Sequence, residues 1–281
     1  MIVTRFAPSP TGRLHLGHAL SAVRAHAMAR ATGGRFLVRI EDIDGTRSRP
    51  EHVETILADL RWLGLEWDDL TFQSQRLALY AAALDALRER ELVYPCFCTR
   101  AEIAASASAP HGMAPVYPGT CRTLPPAERA ARMAMPHCWR LDMARAVALA
   151  GPLMWRDAIA GEVAAVPEAQ GDVVLARKDA PSSYHLAVSV DDAAQGVTDI
   201  VRGADLFDAT HVHRLLQALL NLPVPRYHHH PLILGADGQR LAKRHGAPAL
   251  ADLRAQGMDG AALAADLRRD ILPTGFSLGK A

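Results

Sequence analysis

The chain has 281 residues, 49% apolar and 22% charged, an ordinary globular balance that argues against disorder. Thirty-one Lys and Arg stand against 30 Asp and Glu; the resulting charge of +1 is not that of a general polyanion binder, so any nucleic-acid contact must be a local patch. Four cysteines are too few for a disulfide scaffold, no stretch nears the roughly 18 apolar residues of a membrane span, and MIVTRFAPSP lacks the apolar run of a signal peptide, so a soluble cytoplasmic protein is expected.

Ile2 to Phe6 reads as a short strand, stopped by Pro8, Pro10 and Gly12. The alanine-rich stretch His18 to Arg30 reads as a helix ended by Gly33 and Gly34, and Arg35 to Ile40 as a second strand. Strand, turn, helix and strand in about 40 residues form a βαβ unit, which predicts an α/β fold with a parallel sheet. Ligands of such sheets bind beyond the carboxyl ends of the strands, where the 8–17 turn and the acidic run Glu41-Asp42-Ile43-Asp44 both fall. Helical patterns follow at about 51–64 and 76–92, then an irregular stretch over 104–135 rich in Ala, Ser, Pro and Met. Asp172 to Arg177 and Tyr184 to Val190 read as strands, and Thr210 to Leu222 as an amphipathic helix stopped by Pro223 and Pro225. Two short helices are expected after Lys243.

The first chemical motif is Arg5-Phe6-Ala7-Pro8-Ser9-Pro10-Thr11-Gly12 followed by His15-Leu16-Gly17-His18. A helix start offers free N–H groups and partial positive charge to a phosphate, the histidines add donors, and the glycine allows close approach of a nucleotide. The motif resembles the HIGH signature of class I aminoacyl-tRNA synthetases, in the form of their glutamate-specific branch. Glu41-Asp42-Ile43-Asp44 with Arg47, Tyr184 in YHLAVSVDD and Arg202 in VRGADL resemble further blocks of that branch, in order. Gly238 to Arg244 resembles a degenerate KMSKS loop, with Arg240, Ala242 and Arg244 replacing the usual residues and Lys243 retained.

The resemblance implies a Rossmann-type sheet and ATP-dependent activation of glutamate, with Mg2+ accompanying ATP. His15, Gly17, His18 and Lys243 would serve ATP, with His15, His18 and Lys243 carrying the catalysis on its phosphates. A substrate with two carboxylates and one ammonium needs cations and an anion: Arg5 and Arg202 would fork carboxylates, Glu41 would take the ammonium, and Ser9 and Tyr184 would add hydroxyl hydrogen bonds.

Cys96 and Cys98, one residue apart, with Cys121 further on suggest a metal rather than a disulfide, with the fourth ligand open. This spacing, with Tyr117, resembles the zinc site of a short family, the glutamyl-queuosine tRNA(Asp) synthetases. The resemblance implies one structural Zn2+ on Cys96, Cys98, Tyr117 and Cys121, with His111, His137 or Cys138 as substitutes for the tyrosine. In the run His228-His229-His230 consecutive side chains of an extended segment point to opposite faces, which argues against a metal there.

Residues 1–95 are expected to form the first half of the catalytic domain, 96–183 the zinc-bearing insertion, 184–235 the second half, and 236–281 the KMSKS-like loop with a short helical C-terminus. The 38 residues after Lys243 (244–281) cannot build an anticodon-binding domain with its own core. The short family implies tRNA-independent glutamate activation, then transfer to queuosine in the anticodon of tRNA(Asp), by a monomer. A short glutamyl-tRNA synthetase charging a 3′ end, and a non-catalytic paralogue binding tRNA or glutamate, are the competing readings.

Overall fold

The computed structural model describes residues 1–99, 101–103, 116–239, 241 and 248–279. The predicted βαβ unit is present: β1 (Val3–Phe6) and β2 (Arg35–Ile40) pair in parallel across α1 (Leu16–Arg30). After α2 (Pro50–Trp62), β3 (Asp69–Phe72) adds to β2, also in parallel. α3 (Leu77–Glu89) then leads into β4 (Val93–Cys96). β4 forms an antiparallel sheet with β5 (Cys138–Leu141) and β8 (Val174–Ala176), separate from the parallel one.

Two further strands, β9 (Asp199–Gly203) and β10 (Arg226–His230), pair in parallel, and β6 (Met154–Asp157) joins β10 with β7 (Gly161–Ala164) as its antiparallel edge. Thr198 joins the two ladders: its N–H donates to the Val3 carbonyl (2.9 Å) and its hydroxyl accepts the Val3 N–H (2.9 Å). The spatial order is therefore β3-β2-β1-β9-β10-β6-β7. Chain order reverses between β1 and β9, and a crevice opens at such a switch point. The β6–β7 hairpin falls inside the 96–183 span yet pairs with the main sheet.

The pleat sorts side chains onto two faces. Phe36, Val38, Ile40 and Val201 join one core with α1, α2, α8 (Leu250–Ala255) and α9 (Gly260–Arg268). Alanines let α1 lie close to the sheet, and the Thr4 hydroxyl donates to the Ala25 carbonyl at 2.8 Å. Truncating a fully buried residue here, such as Leu20, is expected to cost about 2–5 kcal/mol. Val3, Leu37, Ile200 and Tyr227 face the other way, against Trp155. By the same alternation Arg5, Arg39, Arg202 and His229 project from that second face, and His230 from the first.

The expected strand at Tyr184–Val190 is a helix, α6 (Tyr184–Ala194). Leu186, Ala187 and Val190 pack into one core at helical spacing, while Val188, Ser189, Asp191 and Asp192 are buried elsewhere. A helix buried on nearly all sides, rich in valine, shows no polar stripe and imitates a strand. Within the expected irregular stretch, α4 (Pro126–Arg132) is a helix with no buried residue, so it has no apolar stripe to read. α5 (Met143–Ala150) and α7 (Ala209–Leu219) complete the second helical layer, and β11 (Ile233–Leu234) pairs with β12 (Ser277–Leu278) near the C-terminus. Among the described residues no helix is long and apolar enough to cross a membrane.

Candidate active site

A cleft of about 560 Å³ opens at the switch point, lined among others by Arg5, Ser9, His15, Gly17, His18, Glu41, Tyr184 and Arg202. These are all the glutamate- and ATP-site candidates except Lys243, which lies outside the described residues, as do Arg240, Ala242, Arg244 and His111. Of the described residues flanking Lys243, Leu241 lines the cleft and Ala249 makes a backbone bridge to His15.

His15 is the N-cap of α1: its Nδ1 accepts the Gly17 N–H at 3.1 Å, and His18 Nδ1 accepts the His15 N–H at 3.1 Å. With both Nδ1 atoms accepting, the remaining ring proton sits on Nε2, so each imidazole is an N–H donor at that atom. Gly17 suits this cap, because a Cβ there would stand 3.0 Å from the His15 ring and press it out of place by a few tenths of an ångström. The loop before the cap is tied to β2, with the Glu41 N–H donating to the Pro8 carbonyl at 3.0 Å.

The β1/β2 side of the cleft is a buried ion network. Asp192 Oδ1 lies 3.0 Å from Arg5 Nε and 2.9 Å from Arg39 Nη2, all with side chains at most 6% exposed. Burial alone would raise the Asp192 carboxyl, but Arg5 and Arg39 hold it below the usual range. Asp191 is held by Arg76, Tyr80 and Gln73 at 2.6, 2.7 and 2.8 Å. Glu41 is different: its Oε1 has no hydrogen-bond donor among the described residues and lies 3.7 Å from Arg39. Burial pushes its carboxyl up to about 7, with Asp192 and Asp191 adding to the rise and Arg39 and Arg5 opposing it. A buried carboxylate lacking a donor is suited to an incoming cation.

On the β9/β10 side Arg202 is 4% exposed and has only neutral hydrogen-bond partners among the described residues. Its Nε donates to His229 Nε2 (3.0 Å), Nη2 to Thr210 Oγ1 (2.6 Å) and the Leu206 carbonyl (3.2 Å), and Nη1 to the Tyr184 hydroxyl (3.2 Å) and His213 Nδ1 (3.4 Å). Burial and the Arg202 charge push His229 down to about 4 and His213 well below its ordinary value, so both rings are neutral acceptors near pH 7.

Away from the cleft, the Cys96, Cys98 and Cys121 sulfurs lie within 4.8 Å of one another, with Cys98 and Cys121 3.4 Å apart. The Tyr117 hydroxyl is 3.4 Å from Cys96 Sγ and 3.6 Å from Cys98 Sγ. Tetrahedral zinc with Zn–S near 2.3 Å sets sulfurs roughly 3.8 Å apart, so three thiols and a phenol at these separations fit a metal ion. A hydrogen bond from Cys138 holds the Cys96 thiol low, with Tyr117 and Arg140 adding to it, whereas burial pushes Cys98 up. Cys138, opposite Cys96 across the β4–β5 ladder, is not one of the three clustered sulfurs; His137 Nδ1 is 2.9 Å from the Met135 carbonyl.

A family model described as tRNA synthetases class I (E and Q), catalytic domain, matches residues 1–275. The chain is 51% identical to a glutamyl-Q tRNA(Asp) synthetase of Rhodobacter capsulatus, covering 95% of this chain and 99% of that one. It belongs to the glutamyl-Q tRNA(Asp) synthetase family of class I synthetases. A relative of the same name from Symbiobacterium thermophilum is 49% identical, covering 92% of this chain and 82% of that one. A glutamate tRNA ligase from Elizabethkingia meningosepticum, solved in complex with its amino acid, aligns with a TM-score of 0.76 at 28% identity over 88% of this chain and 54% of that one. The chain thus spans about half of that ligase.

Asp192, Arg39, Asp191 and His229 organise the cleft of this family member, yet sequence reading did not single them out as site residues. Most of their partners are distant in the chain, Arg202 lying 27 positions from His229 and Arg5 187 from Asp192. The available signal was the acid pair Asp191-Asp192 closing an apolar run, since buried acids are rare unless paired.

Proposed function

We propose that this chain is a ligase that activates L-glutamate with ATP to glutamyl-adenylate, without needing tRNA, and transfers glutamate to queuosine in the anticodon of tRNA(Asp). The observation that carries the reading is the cleft at the switch point, lined by cations, the buried Glu41 carboxylate whose Oε1 lacks a donor among the described residues, and a helix N-cap built from two imidazoles. The names of the relatives at 49–51% identity support the acceptor.

In the first step a glutamate α-carboxylate oxygen bonds to the α-phosphorus of ATP, the Pα–O–Pβ bond breaks, and pyrophosphate leaves with the electron pair. His15 and His18 donate from Nε2 to phosphate oxygens as charge shifts to them, Gly17 leaves room for the nucleotide, and Lys243 takes the leaving pyrophosphate. Mg2+ entering with ATP supplies further charge neutralisation. Arg5 and Arg202 hold the two substrate carboxylates, Glu41 its ammonium, and Ser9 and Tyr184 complete the pocket. In the second step a hydroxyl of the queuosine diol bonds to the adenylate carbonyl carbon, loses its proton, and AMP leaves.

Cys96, Cys98, Tyr117 and Cys121 would hold one Zn2+, which supplies a cross-link within the 96–183 insertion and no reaction step. The catalytic halves are assigned to 1–95 and 184–235 and the loop with its helices to 236–281, in a cytoplasmic monomer. ATP–pyrophosphate exchange tests activation: the reading expects exchange that requires glutamate and proceeds with no RNA present. No exchange under any condition would identify a binding paralogue, and exchange indifferent to glutamate a different nucleotidyltransferase.

A further inference from the structure

All five N–H donors of Arg202 are already engaged, and none of the acceptors is an anion. The neutrality has a cause. His229 Nδ1 lies 2.8 Å from Asp157 Oδ2, and Asp157 is itself fixed, with Oδ1 accepting the N–H groups of Ile159 and Ala160, both at 2.9 Å. A carboxylate on Nδ1 forces the ring proton there and leaves Nε2 as a bare lone pair, which faces the Arg202 Nε–H at 3.0 Å. The carboxylate is therefore one ring removed from the guanidinium. The contacts also differ in tightness: Nε is held at 3.0 Å and Nη2 at 2.6 and 3.2 Å, whereas the Nη1 contacts to Tyr184 and His213 are 3.2 and 3.4 Å. Tyr184 lines the cleft, so the loosest edge of the guanidinium is the one beside the ligand space.

We propose that His229, oriented by Asp157, is a positioning residue for the substrate carboxylate. It fixes the Arg202 plane through Nε with a neutral acceptor, so the cation stays uncompensated and its Nη1 edge is released to the ligand as the Tyr184 hydroxyl turns. This rests on the assignment of Arg202 to a glutamate carboxylate.

The test compares His229→Leu, which removes the acceptor, with His229→Gln, whose amide oxygen can reach the Nε2 position, in glutamate-dependent ATP–pyrophosphate exchange. The leucine variant is expected to raise KM for glutamate about tenfold or more, with KM for ATP and kcat within about threefold, and the glutamine variant to recover most of the loss. Equal changes in both KM values, or no recovery with glutamine, would overturn the proposal. Arg202→Ala is run alongside: if it leaves glutamate KM unchanged, the carboxylate assignment itself fails. Nitrogen-15 spectra of histidine in the wild-type chain decide the matter even if the leucine variant does not fold. His229 is expected to be neutral with its proton on Nδ1, and a proton on Nε2 contradicts the proposal.

Discussion

Arg5 and Arg202 face the same cleft from the same side of the sheet, yet the protein treats them in opposite ways. Arg5 is ion-paired to Asp192, which Arg39 also contacts, so its charge is largely compensated before any ligand arrives. Arg202 is surrounded by two imidazoles, two hydroxyls and a carbonyl, and the Asp157 carboxylate stands behind the His229 ring. A buried cation with neutral acceptors is costly in the empty protein and strongly attractive to a carboxylate; a paired one is stable and more weakly attractive. The β1/β2 side thus offers a compensated cation, Arg5, with a weaker pull on a carboxylate, whereas the β9/β10 side offers the uncompensated one.

The comparison is most easily broken at Asp192. Asp192→Ala leaves Arg5 and Arg39 partly uncompensated and is expected to cost about 3–5 kcal/mol of stability in urea unfolding. A loss under about 1 kcal/mol would mean that Asp192 does not compensate the two arginines. Arg202→Lys keeps the charge but removes the fork, with an expected rise in glutamate KM of about tenfold or more, a stability loss of about 1–3 kcal/mol as buried acceptors lose their donor, and an unchanged KM for ATP.

Glu41 sharpens the comparison through pH. Its carboxyl is raised from the ordinary 4.5 to about 7, so the folded chain binds a proton more tightly than the unfolded chain. Its contribution to stability is fully present below about pH 4.5 and lost as pH rises towards 7, on the order of 2–3 kcal/mol. An ammonium needs the ionised form, so glutamate KM is expected to rise as pH falls below about 7. Glu41→Gln should flatten the stability slope and remove this pH dependence; a slope unchanged in the variant contradicts the assignment. The smallest effect is expected at Ser21, whose hydroxyl lies 2.7 Å from His230 Nε2 on the opposite face of the sheet. Ser21→Ala should cost about 0.5–1.5 kcal/mol in the same unfolding assay.

Much of the frame was legible in the chain itself. Proline and glycine punctuation marked β1, α1 and β2, and eight described candidates fall around one cleft because strand ends and helix starts meet at one rim of a parallel sheet. What was not legible depended on distant partners. Helix α6 hid because it is buried almost all round, and α4 because it buries nothing. The role of His229 was masked by its neighbours: only the pleat, which sends His228 and His230 to the other face, separates the residue holding Arg202 from its two companions. Arg5 and Arg202 were both readable as cations; the contrast between them was not, because it resides in Asp192 and Asp157.

The central claim is that this cleft loads glutamate onto a modified anticodon. Labelled glutamate is offered, with ATP, to tRNA(Asp) with and without queuosine and to tRNA(Glu). Label on the queuosine-bearing tRNA(Asp) alone is the predicted result, and label on the 3′ end of tRNA(Glu) instead would contradict it.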